Sequence, residues 1–235
     1  MQKQKTLVSW STGKDAAWTC LQLAQDPTIE IVGIFCSVNA QYQRTAVHSV
    51  RIELLQRQAA AMNLPLDIIE IPYPCSNVEY EAIMDAFVAK AKLRDVVNFA
   101  YGDLFLADIK NYRVNNLVGS GINAIFPLWQ LETALLAKDM IAGGQQAIVT
   151  CVDPRRLSVD YVGKVFDGAF IASLPEGIDP CGENGEFHTF VFDSPLFSDP
   201  IHIKTGELNS EGHYTWIDLD LDLDLDLDRK ELESI

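Results

Sequence analysis

No run of about 18 apolar residues occurs in this 235-residue sequence, so a membrane-spanning helix is excluded. The start, Met1 to Lys5, is basic but lacks the long apolar segment and small-residue cleavage site of a signal peptide, so a cytoplasmic protein is expected. Basic residues are scarce. The 18 Lys and Arg face 33 Asp and Glu, a formal net charge of −15, and stable nucleic-acid binding is not expected from so acidic a chain. Cysteine is sparse too, at positions 20, 36, 75, 151 and 181. The odd number and the lack of any CxxC spacing argue against a disulfide framework or a zinc site and leave reduced, buried thiols. The glycine and Lys-Ser/Thr spacing of a Walker P-loop is also missing.

What is present is 48% hydrophobic content, enough for a full core. Strand-like runs at 6–10, 29–36, 66–71 and 96–101 alternate with helix-like stretches at 15–25, 46–62, 77–92 and 107–117. An Asn77 cap opens the third of these helices. That alternation predicts an α/β fold with a parallel sheet covered on both faces. Beyond about residue 125 the pattern loosens: a helix at 131–142, strands at 147–151, 187–192 and 201–204, and a Gly/Pro/acidic loop at 175–186. This reads as a smaller α+β domain. The expected division is 1–125, 126–217 and a tail, 218–235. In that tail six Asp and two Glu against one Lys and one Arg carry six of the fifteen net negative charges. Period-2 Asp-Leu alternation suits a half-buried strand, but like charges two residues apart repel, and a solvated tail is expected.

Chemistry concentrates at Ser9-Trp10-Ser11-Thr12-Gly13-Lys14-Asp15, after a strand and before a helix. Small residues let the backbone wrap a ligand, the helix N-terminus adds N–H groups and positive potential, and Lys14 adds charge. A phosphate or pyrophosphate suits such a loop. An ordinary capped strand–helix turn is the competing reading. Gly102-Asp103 follows another strand, hence the carboxyl edge of the sheet, where Asp103 could hold Mg²⁺ or cap a helix. Glu183, Glu186 and His188 belong to a Gly-rich loop running into a strand, a set that could bind an amine or act as a general base. His48 and Arg51, one helical turn apart, are candidate substrate contacts or an exposed polar face. No thiolate-activating environment for Cys181 is legible.

The first loop resembles the pyrophosphate loop of the N-type ATP pyrophosphatases, with Thr12 in place of its middle Gly and Ala16 in place of its final Ser. Tyr101-Gly102-Asp103-Leu104-Phe105, Tyr112-Arg113, Pro127-Leu128-Trp129 and Cys181 to Phe190 follow in the order seen in the diphthine–ammonia ligase family, and the resemblance runs from about residue 7 to 203. The chain is most similar to that family's short, unfused prokaryotic branch. The resemblance implies a HUP-like, Rossmann-like nucleotide domain followed by a smaller domain. It implies an ATP- and Mg²⁺-dependent, AMP-forming ligase that adenylates a carboxylate and passes ammonia to it. Residues 9–15, Gly102, Asp103 and Arg113 would hold ATP, and Asp15 and Asp103 the metal. Lys14, Asp103, Glu183 and Glu186 would act in catalysis, and His48, Arg51, Glu183, Glu186 and His188 would face the substrate. With no glutaminase segment fused, free ammonium is the expected nitrogen donor. The acceptor, a small molecule or a modified protein side chain, stays open, as does a homodimer. A nucleotide hydrolase releasing AMP and a non-catalytic ATP sensor are the alternatives.

Overall fold

A computed structural model describes residues 2–45 and 50–222. The first half runs β1 (Gln4–Ser9), α1 (Lys14–Ala24), β2 (Ile29–Asn39), β3 (Arg44–Thr45), α2 (Ile52–Ala61), β4 (Leu66–Ile71), α3 (Asn77–Lys92), β5 (Asn98–Ala100), α4 (Ala107–Asn115) and β6 (Asn123–Ile125). The second half runs α5 (Thr133–Ala142), β7 (Gln146–Val152), α6 (Gly168–Ser173), β8 (Phe187–Asp193), β9 (Ile203–Glu211) and β10 (Tyr214–Leu221).

The α/β expectation holds. Strands β6, β5, β1 and β2 lie side by side in that order, all parallel, with β4 continuing parallel to β2 and the short β3 antiparallel at its end. Their apolar runs are buried because helices cover both faces. Sheet order reverses at β1: the chain first steps to β2 and β4, then returns to β5 and β6 on the other side. The second half forms a separate antiparallel sheet, in the order β8-β7-β10-β9. One core nevertheless runs through both halves, joining Val8, Ala17 and Leu55 to Leu136, Val149 and Phe187.

Three local expectations need correction. The second helix begins at Ile52, not 46, because Arg51 has extended backbone and Thr45 and Val50 exchange hydrogen bonds ahead of it. The cap of α3 is Ser76, not Asn77: its hydroxyl accepts from the Glu79 N–H while the Glu79 carboxylate accepts from the Ser76 N–H, a reciprocal capping box. The solvated-tail expectation fails for Asp218–Leu221, which complete β10 and pair with β9. Repulsion along the repeat is relieved by cations of β3, the start of α2 and β9. Asp218 meets Arg44 and Arg51, Asp220 meets Arg51, and Asp222 meets Lys204, while Leu219 is buried. Residues 223–235 lie outside the described residues.

Candidate active site

A reversal of strand order leaves a crevice at the carboxyl ends of the two diverging strands, here β1 and β5. The cleft found there measures about 240 Å³ and is lined from β1 and its loop by Ser9 and Ser11, from the first turn of α1 by Lys14, Asp15 and Ala16, and from the end of β5 by Gly102 and Asp103. Drug-sized sites run to roughly 300–1,000 Å³, so this cleft encloses only part of a nucleotide-sized ligand. Gly102 is needed for the close approach of the two segments: a Cβ there would lie 3.0 Å from the carbonyl carbon and oxygen of Asp15. The carboxylates of Asp15, in the first turn of α1, and Asp103, after β5, therefore share one cleft.

Each carboxylate has a cationic partner. Lys14 Nζ donates to both Asp15 oxygens, at 3.0 and 2.7 Å, and Arg113 on α4 pairs with Asp103, Nε to Oδ2 2.6 Å. The Arg113 guanidinium also lies over the Tyr101 ring, 4.5 Å from its centroid. Burial pulls the Lys14 pKa down, but the Asp15 carboxylate together with Cys181 and Glu183 more than offsets it, so the ammonium stays charged with its pKa above the ordinary value. Its Nζ also donates to the main-chain oxygen of Cys181.

The other wall is the loop from Asp179 to Thr189. Gly182, Glu183, Gly185, Phe187, His188 and Thr189 all line the cleft. Gly182 sits at φ +70°, and a Cβ there would come within 2.8 Å of the Phe187 oxygen, so the turn requires glycine. Glu183 is fixed by the main chain of the first half: one carboxylate oxygen accepts from Leu104 N at 2.8 Å and Phe105 N at 3.4 Å. Burial pushes its pKa up to about 7, against the pull of those N–H groups. Burial likewise drives the Cys181 thiol far above its usual range, and its Sγ lies 3.4 Å from the Thr133 oxygen, a packing residue rather than a nucleophile.

Several expected site residues do not reach the cleft. Trp10 is buried with its Nε1 on Gln58. Thr12 is fully buried at φ +71°, in the left-handed region that favours glycine, and Gly13 serves as the N-cap of α1. Glu186 is buried beneath the loop, its Oε1 accepting from Asp179 N and Asn184 Nδ2, so it braces the turn that presents Glu183. Arg51 is committed to Asp218 and Asp220, while His48 lies outside the described residues. Four supporting residues were missed. Gln58 bridges Trp10, Thr12 and Val191; Thr189 accepts from Lys14 N; Gln145 donates to the Lys14 oxygen; and Asp179 accepts from Glu183 N. Gln58 left a readable signal, a polar residue on the buried Leu54-Leu55-Ala59 stripe of its helix, and Thr189 stands within the Cys181 to Phe190 motif.

One wall of the cleft, the loop from Asp179 to Thr189, lies in a segment that a family model matches. Residues 132–222 match the model of the diphthamide synthase C-terminal domain. The chain is 27% identical over 183 residues to the human diphthine--ammonia ligase, an alignment covering 71% of this chain and 66% of that protein. The chain is similar to the diphthine–ammonia ligase family. The chain is also similar to the zebrafish diphthine--ammonia ligase, 33% identical over 108 residues (43% of this chain, 42% of that protein), and to the Schizosaccharomyces pombe one, 31% over 108 (44% and 18%). The chain thus spans just under two thirds of the human family member it matches. Among the described residues no helix is long and apolar enough to cross a membrane.

Proposed function

We propose that this chain is an ATP-dependent, AMP- and pyrophosphate-forming ligase that activates a carboxylate and passes ammonia to it. The observation that carries this reading is the facing of Glu183 and the Asp15–Asp103 pair across one cleft at the sheet's reversal point. In this reading Ser9, Ser11 and the first turn of α1 receive the ATP phosphates, with Arg113 as a further cation for an anionic ligand. Asp15 and Asp103 suit Mg²⁺, because they offer oxygen donors only, and a hard cation of this kind takes one or two carboxylates and completes its shell with phosphates and water. Bound there, the ion would neutralise charge building on the departing pyrophosphate.

A carboxylate is a poor electrophile until adenylated, and ammonium is no nucleophile until it loses a proton. A carboxyl group titrating near 7 is matched to that task. Glu183 is therefore the base in this reading, with His188 in the same cleft on the acceptor side and Glu186 bracing the Glu183 turn. The human relative's name, diphthine--ammonia ligase, points to ammonia as the nitrogen donor. The test is product analysis by chromatography with ATP, Mg²⁺ and ammonium. The expected products are AMP and pyrophosphate at a slow background rate, since the acceptor carboxylate is not supplied. ADP and orthophosphate as main products would mean attack at the γ-phosphate and would overturn the reading.

A further inference from the structure

Lys14 stands where the loop sequence suggests a phosphate ligand, yet its polar atoms reach elsewhere. Its N–H donates to Thr189 Oγ1 at 3.1 Å, its carbonyl oxygen accepts from Gln145 Nε2 at 3.0 Å, and its Nζ donates to the Cys181 oxygen. All three partners belong to the second half of the chain. The side chain is 3% exposed, and Nζ lies 5.7 and 5.6 Å from the ring centroids of Phe166 and Phe187. To touch a phosphate, the ammonium would have to abandon the Cys181 oxygen, the Asp15 carboxylate and an aromatic enclosure together. An ammonium that loses its partners while still buried is strongly disfavoured.

We infer that Lys14 is a latch that locks the Cys181–Glu183 turn onto the ATP loop, a positioning residue rather than a phosphate ligand. The turn it holds carries Glu183, whose carboxylate is tied to the Leu104 and Phe105 N–H groups of the first half. Lys14 therefore sets the distance between the phosphate end of the cleft and its proposed base. Asp15, 27% exposed and in the cleft, keeps Lys14 and still has oxygen lone pairs to offer a metal ion. The inference rests on the proposed function for the identity of the ligand, but the latch contacts do not depend on it.

The test is Lys14→Met, with ATP–Mg²⁺ affinity read by calorimetry and amide exchange read by mass spectrometry. Affinity is expected to stay within about threefold of the parent protein. Exchange across residues 179–186 is expected to quicken by about tenfold or more while β2 and β4 keep their protection, a local opening that general destabilisation would not produce. A loss of ATP affinity of about tenfold or more, or unchanged exchange in 179–186, overturns the inference. If the parent protein binds no ATP, the proposed function fails and the exchange experiment still decides the latch. If Lys14→Met does not fold, the parent protein labelled with ¹⁵N-lysine decides instead: the Lys14 Nζ signal should hold its position on saturation with ATP–Mg²⁺, and its displacement would overturn the latch.

Discussion

The side-chain amide of Gln58 donates to the main-chain oxygen of Thr12 at 3.0 Å, pinning the loop after β1 to α2. The same side chain donates to the Val191 oxygen at 2.7 Å and accepts from Trp10 Nε1 at 2.8 Å, all of it buried. A buried polar group stripped of its partner costs about 1–3 kcal/mol. Gln58→Leu strips the Trp10 N–H outright and removes one donor each from two carbonyls. We expect it to lower unfolding free energy by about 2–4 kcal/mol, read as a lower urea midpoint.

Thr12 combines a positive φ with a hydroxyl that is buried and unbonded. Thr12→Val keeps the shape and removes the orphaned hydroxyl. Thermal melting is expected to show unchanged or slightly higher stability, by up to about 1 kcal/mol. ATP affinity should not move, since Thr12 does not line the cleft. Weaker binding in calorimetry would make the hydroxyl a ligand contact.

Glu183 titrates at about 7 in the folded chain against an ordinary 4.5. Between those values the folded state holds the proton and the unfolded state does not, so stability falls as pH rises through that window. Glu183→Gln keeps an acceptor for the Leu104 N–H and removes the titration. Denaturation curves should show its stability relative to the parent protein improving from pH 5 to pH 8. A parallel pH dependence in both proteins would count against the raised pKa.

Truncation after Trp216 removes Leu219 from the cluster it forms with Val50, Leu54, Ile148, Phe190 and Ile201, and strips residues 203–208 of β9 of their partner. Deleting one buried leucine side chain costs about 2–5 kcal/mol, so losing the strand is expected to cost at least that. Burial opposes ionisation of Asp218, but Arg51 and Arg44 hold its carboxyl far below the usual range. Its contribution is therefore present above an unfolded value of 3.8 and is lost only as pH falls through the depressed folded value. A truncated chain with an unchanged melting temperature would show that β10 adds no stability beyond Trp216.

The order of the longer strands and helices was legible in the sequence because side-chain periodicity is local, whereas β3, β6, α6 and β10 were not read from it. The loop after β1, the Gly102-Asp103 turn and the Cys181–Thr189 motif were legible for the same reason. Three charged partnerships were not. Lys14 donates to an oxygen 167 residues away, Arg51 pairs with an aspartate equally distant in the chain, and Glu183 rather than Glu186 faces the cleft. Glu183 and Glu186 differ by a single helical-turn spacing and by nothing in chemistry. Only the path of the Gly182 turn sends one into the cleft and the other beneath the loop. The Asp-Leu repeat tells the same story. Its self-repulsion is a property of the sequence, but whether Arg44, Arg51 and Lys204 relieve it depends on how the strand is placed against β9 and the first half. Register was decided by tertiary packing of Leu219 against Phe190 and Val50, and no spacing within the repeat contains it.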